Sequence, residues 1–237
     1  MNSNFISETS FMLFFILLTL VVYQAFVHLQ KLCKKAWLNP MLLSIITLIP
    51  FLVFFNIPFE QYYQATTPLN SLLEPAVVAL GFPLYQHIKT IKKQWRQIVI
   101  LLFVGAVITI AISFCVTIFA INQYEIAVSL SLKSVTTPIG IALTEQLNGN
   151  NSITAFAIIL AGLFGALLGP PWLSFINVTS PKAQGLAIGA ASHALGTATI
   201  SRVSYEHAAY SSLALIISAV VTAIFSPMII NTLVHLL

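Results

Sequence analysis

The stretch QIVILLFVGAVITIAISFCVTIFAI, residues 97–121, contains no charged side chain. A bilayer core needs about 20 mostly apolar residues per helix, so this run reads as a membrane-spanning helix. Outward from it, the same ruler marks long spans near 9–29, 40–56, 152–176 and 207–236. The whole chain agrees: of 237 residues, 58% are hydrophobic and 7% charged, against about 25% charged in a soluble domain. Mean hydropathy is +0.95, too apolar for one globular core, because a domain of this size still exposes much of its surface. A soluble enzyme and a disordered chain are excluded. So is a nucleic-acid binder, since the net charge of +4 is small and is taken up by topology.

Three more segments are apolar but interrupted: 71–88, 123–147 and 181–202. Pro75, Gly81 and Pro83 break the first; Thr136, Thr137, Pro138 and Gly140 break the second; Gly185, Gly189 and Gly196 run through the third. The expected architecture is an all-α polytopic membrane protein, a single integral-membrane domain over 1–237. It has about eight membrane segments, including interrupted or re-entrant helices. Asn39-Pro40 opens segment 2 and Thr137-Pro138 opens the second half of segment 5, an odd offset that fits an inverted repeat.

Orientation follows from the basic residues. Lys31, Lys34 and Lys35 follow segment 1, and Lys89, Lys92, Lys93 and Arg96 follow segment 3, whereas loop 57–70 holds Glu60 and no basic residue. Basic loops favour the cytoplasmic side, which places loops 30–37 and 88–96 inside and the N-terminus outside. Eight full crossings would leave the C-terminus outside too. Trp37, Trp95 and Trp172 fall at segment ends, where indoles favour the headgroup boundary. The first segment lacks the basic start and cleavage site of a signal peptide, so it reads as a retained span. Cys33 and Cys115 form neither a disulfide framework nor a metal pattern.

The chemistry is expected in LSLKSVTTPIGIALTE, residues 130–145. Pro138 lacks an N–H and disfavours helix at Thr137. The Thr136 and Thr137 hydroxyls suit the start of a new half-helix. Half-helix N–H groups at membrane depth carry partial positive charge and suit a carboxylate. Lys133 adds a full charge, and Ser134, Thr136 and Thr137 add donors. The bland alternative is a proline-kinked helix whose lysine snorkels to the interface. In KAQGLAIGAASHALGTATISR, residues 182–202, the small residues let another backbone approach. His193 stands among them with Ser192, Gly196 and Thr197, and Gly196-Thr197 reads as a second unwound point. Packing alone would account for those small residues, and a cross-helix hydrogen bond for the histidine. Glu74 precedes Pro75 and suits a helix start, with a coupling-ion site as the alternative. Arg202 and Glu206 sit at pairing distance for one helix face. No nucleotide or hydrolase signature is present, so no enzyme activity, cofactor or metal is expected.

The strings LLEPAVVALGFPLY (72–85), LKSVTTPIGIAL (132–143), ASHALGTA (191–198) and SSLAL (211–215) resemble the LrgB/CidB family of bacterial membrane proteins, with its YohK-type inner-membrane members. The resemblance covers roughly 10–236. It implies a protein of the bacterial cytoplasmic membrane that works with a small LrgA/CidA-type membrane partner, as a homo- or hetero-oligomer in contact with lipid. The family is described as holin/antiholin-like, modulating murein hydrolase activity. Other members look like carriers of small carboxylates such as pyruvate, and the plastid glycolate/glycerate translocator contains a similar domain. The resemblance carries over to Lys133, Ser134, Thr136, Thr137 and Pro138, and to Ser192, His193, Gly196 and Thr197. One departure stands out: the family's Glu-Gly-Ala reads His207-Ala208-Ala209 here, with Glu206 one residue early, so Glu206 receives no role. The expected function is a carrier of small monocarboxylates of the pyruvate/glycolate class, linked to control of autolysis. The alternative is a holin/antiholin-like component without selective transport.

Overall fold

The structure is a computed structural model. It describes the backbone of residues 2–33, 38–79 and 81–236, and their side chains except those of 2–8, 73, 74 and 77. Lys34, Lys35, Trp37 and the Glu74 side chain therefore lie outside the described residues. Every element among the described residues is a helix. The chain forms two compact units, 1–78 and 79–237.

In the first unit, α1 (Asn2–Cys33) packs against α2 (Pro40–Phe54) and α3 (Phe59–Ala65), followed by α4 (Thr67–Asn70) and the start of α5 (Leu73–Ala79). Asn39 caps α2, its Oδ1 accepting from the N–H groups of Met41 (2.9 Å) and Leu42 (3.4 Å). Pro40, which has no N–H to offer, fills the first helical position. Phe15, buried on α1, stacks edge-on against Tyr62 of α3. Pro75 lies in the first turn of α5, where a helix tolerates proline.

The second unit holds α6 (Gly81–Gln86), α7 (Ile88–Ile121), α8 (Tyr124–Ser131), α9 (Thr137–Gln146), α10 (Asn151–Phe175), α11 (Pro181–Ile200) and α12 (Tyr205–Leu236). Four described helices are long and apolar enough to cross a membrane: Thr9–Cys33 within α1, α7, α10 and α12. α2, at 15 residues, is shorter. Asn56, Asn122, Asn148 and Asn177 follow α2, α7, α9 and α10 with φ of 54°, 55°, 54° and 59°. Asparagine tolerates this left-handed region better than other side chains, so each ends its helix by local chemistry.

Two segments of this unit turn back on themselves. The Asn150 N–H donates to Ser129 Oγ (2.8 Å), and Ser129 donates to the Glu125 carbonyl (2.6 Å). A Cβ on Gly149 would lie 2.9 Å from Val128 Cγ1. The residues just past α9 thus lie beside α8, and α8–α9 is a hairpin that starts and finishes at one end of the unit. Its arms of 8 and 10 residues are about 12 and 15 Å long, roughly half of a 30 Å core.

The second hairpin is α11 itself, whose helix is interrupted at His193 (φ 41°, ψ −137°). Gly189, four residues before His193, and Thr197, four after, both meet Ser211 of α12. The Gly196 Cβ position is occupied by the Ser192 side chain and lies 2.8 Å from Ile188 Cγ2. The interruption falls at His193 and not at Gly196-Thr197, because Gly196 is used for contact between the two arms. α12 then starts where α11 started, with His207 Nε2 donating to Gln184 Oε1 (3.0 Å). Arg202 lies in the turn before α12, so it and Glu206 do not share a helix face.

Consecutive contacts set the chain directions. Gly162, Gly165 and Gly169 of α10 meet His193, Ser192 and Ile188 in that order, so α10 and the first arm of α11 are antiparallel. Early α7 packs with early α12 through Ile98, Leu102, Tyr210 and Ala214. Late α7 packs with late α12 and the first hairpin through Phe114, Leu132, Leu143 and Ile230. A hairpin from one end followed by α10 is therefore mirrored by a hairpin from the other end followed by α12. The inversion relates α8–α10 to α11–α12, a different pairing from the two X-Pro dipeptides. Lys182 and Arg202 fall at the same end as Lys89, Lys92, Lys93 and Arg96, while Glu125 and Glu145 fall at the opposite end.

Candidate functional site

The two hairpin tips converge on one residue of α10, Ile158, which is 1% exposed. From the first hairpin, Gly140 packs so closely on the Ile158 side chain that Ile158 Cδ1 occupies its Cβ position, with Thr154 Cγ2 at 3.3 Å and Val135 Cγ2 at 3.6 Å. Gly140 is thus a contact residue inside α9 (Thr137–Gln146), and the interruption lies upstream of it, between Ser131 and Thr137. Thr144 and Thr154 share a buried hydroxyl contact of 2.7 Å that fastens α9 to α10.

From the second hairpin, His193 Nε2 lies 2.8 Å from the Ile158 carbonyl. A carbonyl only accepts, so Nε2 carries the proton and donates. A non-glycine residue at φ 41° costs about 1–3 kcal/mol. That conformation persists because this buried hydrogen bond and the close fit against Gly162 require it; a Cβ on Gly162 would lie 2.7 Å from His193 Cε1. Ser192, beside it, fills the space opposite Gly165.

At the first tip, α9 begins at Thr137 with Pro138 in its first turn. Thr136 is the extended residue before it, and its hydroxyl makes no capping bond. Its carbonyl accepts from the Gly140 N–H at 2.9 Å. The second arm of each hairpin begins at its tip, where the first N–H groups of a helix have no partner within that helix. The Lys133 ammonium donates to Ser113 Oγ on α7 and to the Leu130 carbonyl (3.4 Å). That second bond occupies a carbonyl at the C-terminal end of α8. Ser113 was not among the residues expected from sequence; a lone serine eight residues before the end of the apolar α7 was its only sign. Lys133 is partly buried and engages α7, while His193 engages α10. Ser134, Thr136 and Thr137 sit partly buried on the first tip.

The sequence profile of the LrgB-like family matches residues 19–232. The chain belongs to the LrgB-like family. It is 35% identical over 216 residues to the holin-like protein CidB of Staphylococcus epidermidis, covering 91% of this chain and 94% of that protein. To the holin-like protein CidB of Staphylococcus aureus it is 32% identical over 222 residues, covering 92% and 95%. To the uncharacterized protein YxaC of Bacillus subtilis it is 33% identical over 222 residues, covering 91% and 94%. No solved structure matches the chain. In this LrgB-like chain the strings KSVTTP and ASHALGT are the two hairpin tips. His207 belongs to a separate polar chain at the basic end: Ser204 Oγ meets its Nδ1 (2.8 Å), and Gln184 Nε2 donates on to the Val178 carbonyl (2.7 Å).

Proposed function

We propose that this LrgB-like protein is a carrier or facilitator of small monocarboxylates, of the pyruvate/glycolate class, and that its flux is linked to control of autolysis. The observation that carries the reading is the pair of opposed hairpins whose tips converge at Ile158. Irregular backbone at membrane depth is tolerated where it is buried in protein or lines a water-filled cavity. Two helix starts and the Lys133 ammonium supply donors suited to a carboxylate. The substrate contacts are assigned to Lys133, Ser134, Thr136, Thr137, Ser192, His193, Gly196 and Thr197. Glu74 is the candidate coupling or structural acid. The protein works in the bacterial cytoplasmic membrane as a homo- or hetero-oligomer, the hetero-oligomer being formed with a small LrgA/CidA-type partner.

A second reading rests on the relatives named holin-like: a pore component or regulator of murein hydrolases without selective transport. Proteoliposomes holding the full chain, alone and with the small partner, separate the two when labelled pyruvate and glycolate are followed beside an entrapped neutral dye. Saturable carboxylate uptake with retained dye is the expected result. Dye escaping together with the carboxylates would replace the carrier by the pore.

About eight membrane segments are assigned, α8–α9 and α11 being re-entrant. The six basic residues grouped at one end of the second unit support a cytoplasmic position for that end. Two returning hairpins leave the parity of crossings unchanged, so the N- and C-termini lie outside. In a chain whose native cysteines are replaced, Asn148→Cys is expected to react with an impermeant thiol reagent in intact cells and Lys182→Cys only after permeabilisation. The reverse pattern would invert the topology.

A further inference from the structure

Buried serines in membrane helices usually bond back to a carbonyl of the preceding turn. Ser212 does so on α12, its Oγ donating to the Ala208 carbonyl at 2.6 Å. Ser218 and Ser226, 4% and 0% exposed, have no hydrogen-bond partner. A buried hydroxyl left without a partner costs about 1–3 kcal/mol.

Their position identifies what they face. Ser211, Ser218, Thr222 and Ser226 recur at i, i+7, i+11 and i+15, a spacing that keeps them on one side of a helix. At one end of that side, Ser211 meets Gly189 and Thr197 of the second hairpin. At the other end, Ile229, Ile230 and Leu233 pack with Leu132 and Leu143 of the first hairpin. Ser218, Thr222 and Ser226 therefore occupy the stretch of α12 between its contacts with the two hairpins, on the side that both hairpins cover. Thr222 is buried as well, at 3%.

We infer that Ser218 and Ser226 form a third wall of the carboxylate path and select acids that carry an oxo or hydroxyl group on the carbon next to the carboxylate. This rests on the carrier reading above. The tips offer N–H groups, an ammonium and the hydroxyls assigned above; Ser218 and Ser226 add, on a different helix, two hydroxyls that have no partner of their own. A hydroxyl both donates and accepts, so it pairs with either a 2-oxo or a 2-hydroxyl substituent, while an unsubstituted acid leaves it unpaired. Eight residues of helix separate the two serines by about 12 Å, so a small acid meets one and then the other during passage.

The test is uptake by the full chain in proteoliposomes, comparing glycolate and lactate with acetate and propionate. The variants are Ser218→Ala, Ser226→Ala and the double variant, with Ser212→Ala as control. The wild type is expected to favour the 2-hydroxy acids. Each single variant raises their KM about 3- to 10-fold, the worth of one neutral hydrogen bond, and leaves propionate unchanged. Ser212→Ala changes neither. Because each replacement removes an unpaired hydroxyl, the variants should melt no lower than the wild type, which separates lost recognition from lost fold. Equal uptake of both acid classes by the wild type, or equal loss of both in the variants, would overturn the inference and leave the carrier intact. No saturable uptake of any acid, with or without the small partner, would overturn the carrier reading and this inference with it.

Discussion

Gly189→Val is expected to yield little or no folded protein. A Cβ at this position would land on the Ser211 carbonyl oxygen, 2.7 Å from Ser211 Cα and 2.8 Å from its carbonyl carbon. These are backbone atoms of α12, held by the helix ladder and unable to rotate away as a side chain would. Overpacking a core costs about 1–3 kcal/mol when side chains can adjust, and here α11 and α12 would have to separate instead. The loss extends beyond one contact: Thr197 meets the same residue from the returning arm, so parting the helices opens the whole second hairpin. The check is the yield of monodisperse protein in detergent and its melting temperature, with Gly169→Ala as comparison. A Cβ on Gly169 would meet Ile188 at 3.4 and 3.5 Å, an ordinary contact, so that variant should melt close to the wild type. A well-folded Gly189→Val would mean that α11 and α12 do not pack as described.

On the carrier reading proposed above, Lys133→Ala is expected to lower carboxylate uptake by about 10- to 100-fold, the worth of a hydrogen bond to a charged group, while the protein still inserts. A lysine at membrane depth is costly to place. Here its ammonium is held by Ser113 and the Leu130 carbonyl, two neutral acceptors that leave its charge unbalanced by them. That remaining charge is what a carboxylate would meet. Lys133→Arg should not restore the rate, because a planar guanidinium cannot reproduce the contacts of a compact ammonium. The readout is uptake per inserted molecule, with insertion followed by size-exclusion profile. Normal uptake by a well-inserted Lys133→Ala protein would remove Lys133 from the site.

These two residues differ in how far sequence alone could assign them. Lys133 stood out because a charge among apolar residues beside a Thr-Thr-Pro break is a local anomaly with a local explanation. The first interruption was legible for the same reason: proline lacks an N–H and restricts its predecessor wherever it occurs. The helix ends at Asn56, Asn122, Asn148 and Asn177 likewise follow from what asparagine tolerates. Gly189 was legible as a close-packing residue, but its partner could not be named, since small residues state how near a neighbour comes and not which one.

Chain composition and local backbone chemistry thus settled the membrane class, the helical content and the location of two interrupted segments. Only the tertiary structure decided that both segments return to the end they came from, and that Lys182 and Arg202 join the basic end. It also decided where the second interruption falls. Histidine has no intrinsic tendency to break a helix as glycine or proline does, so nothing local marks His193. Its strained backbone is held by a hydrogen bond to Ile158, 35 residues away, and by Gly162 of α10, which leaves room for the ring. Such a break exists only once the helices have packed, because the interactions that offset its strain come from another helix.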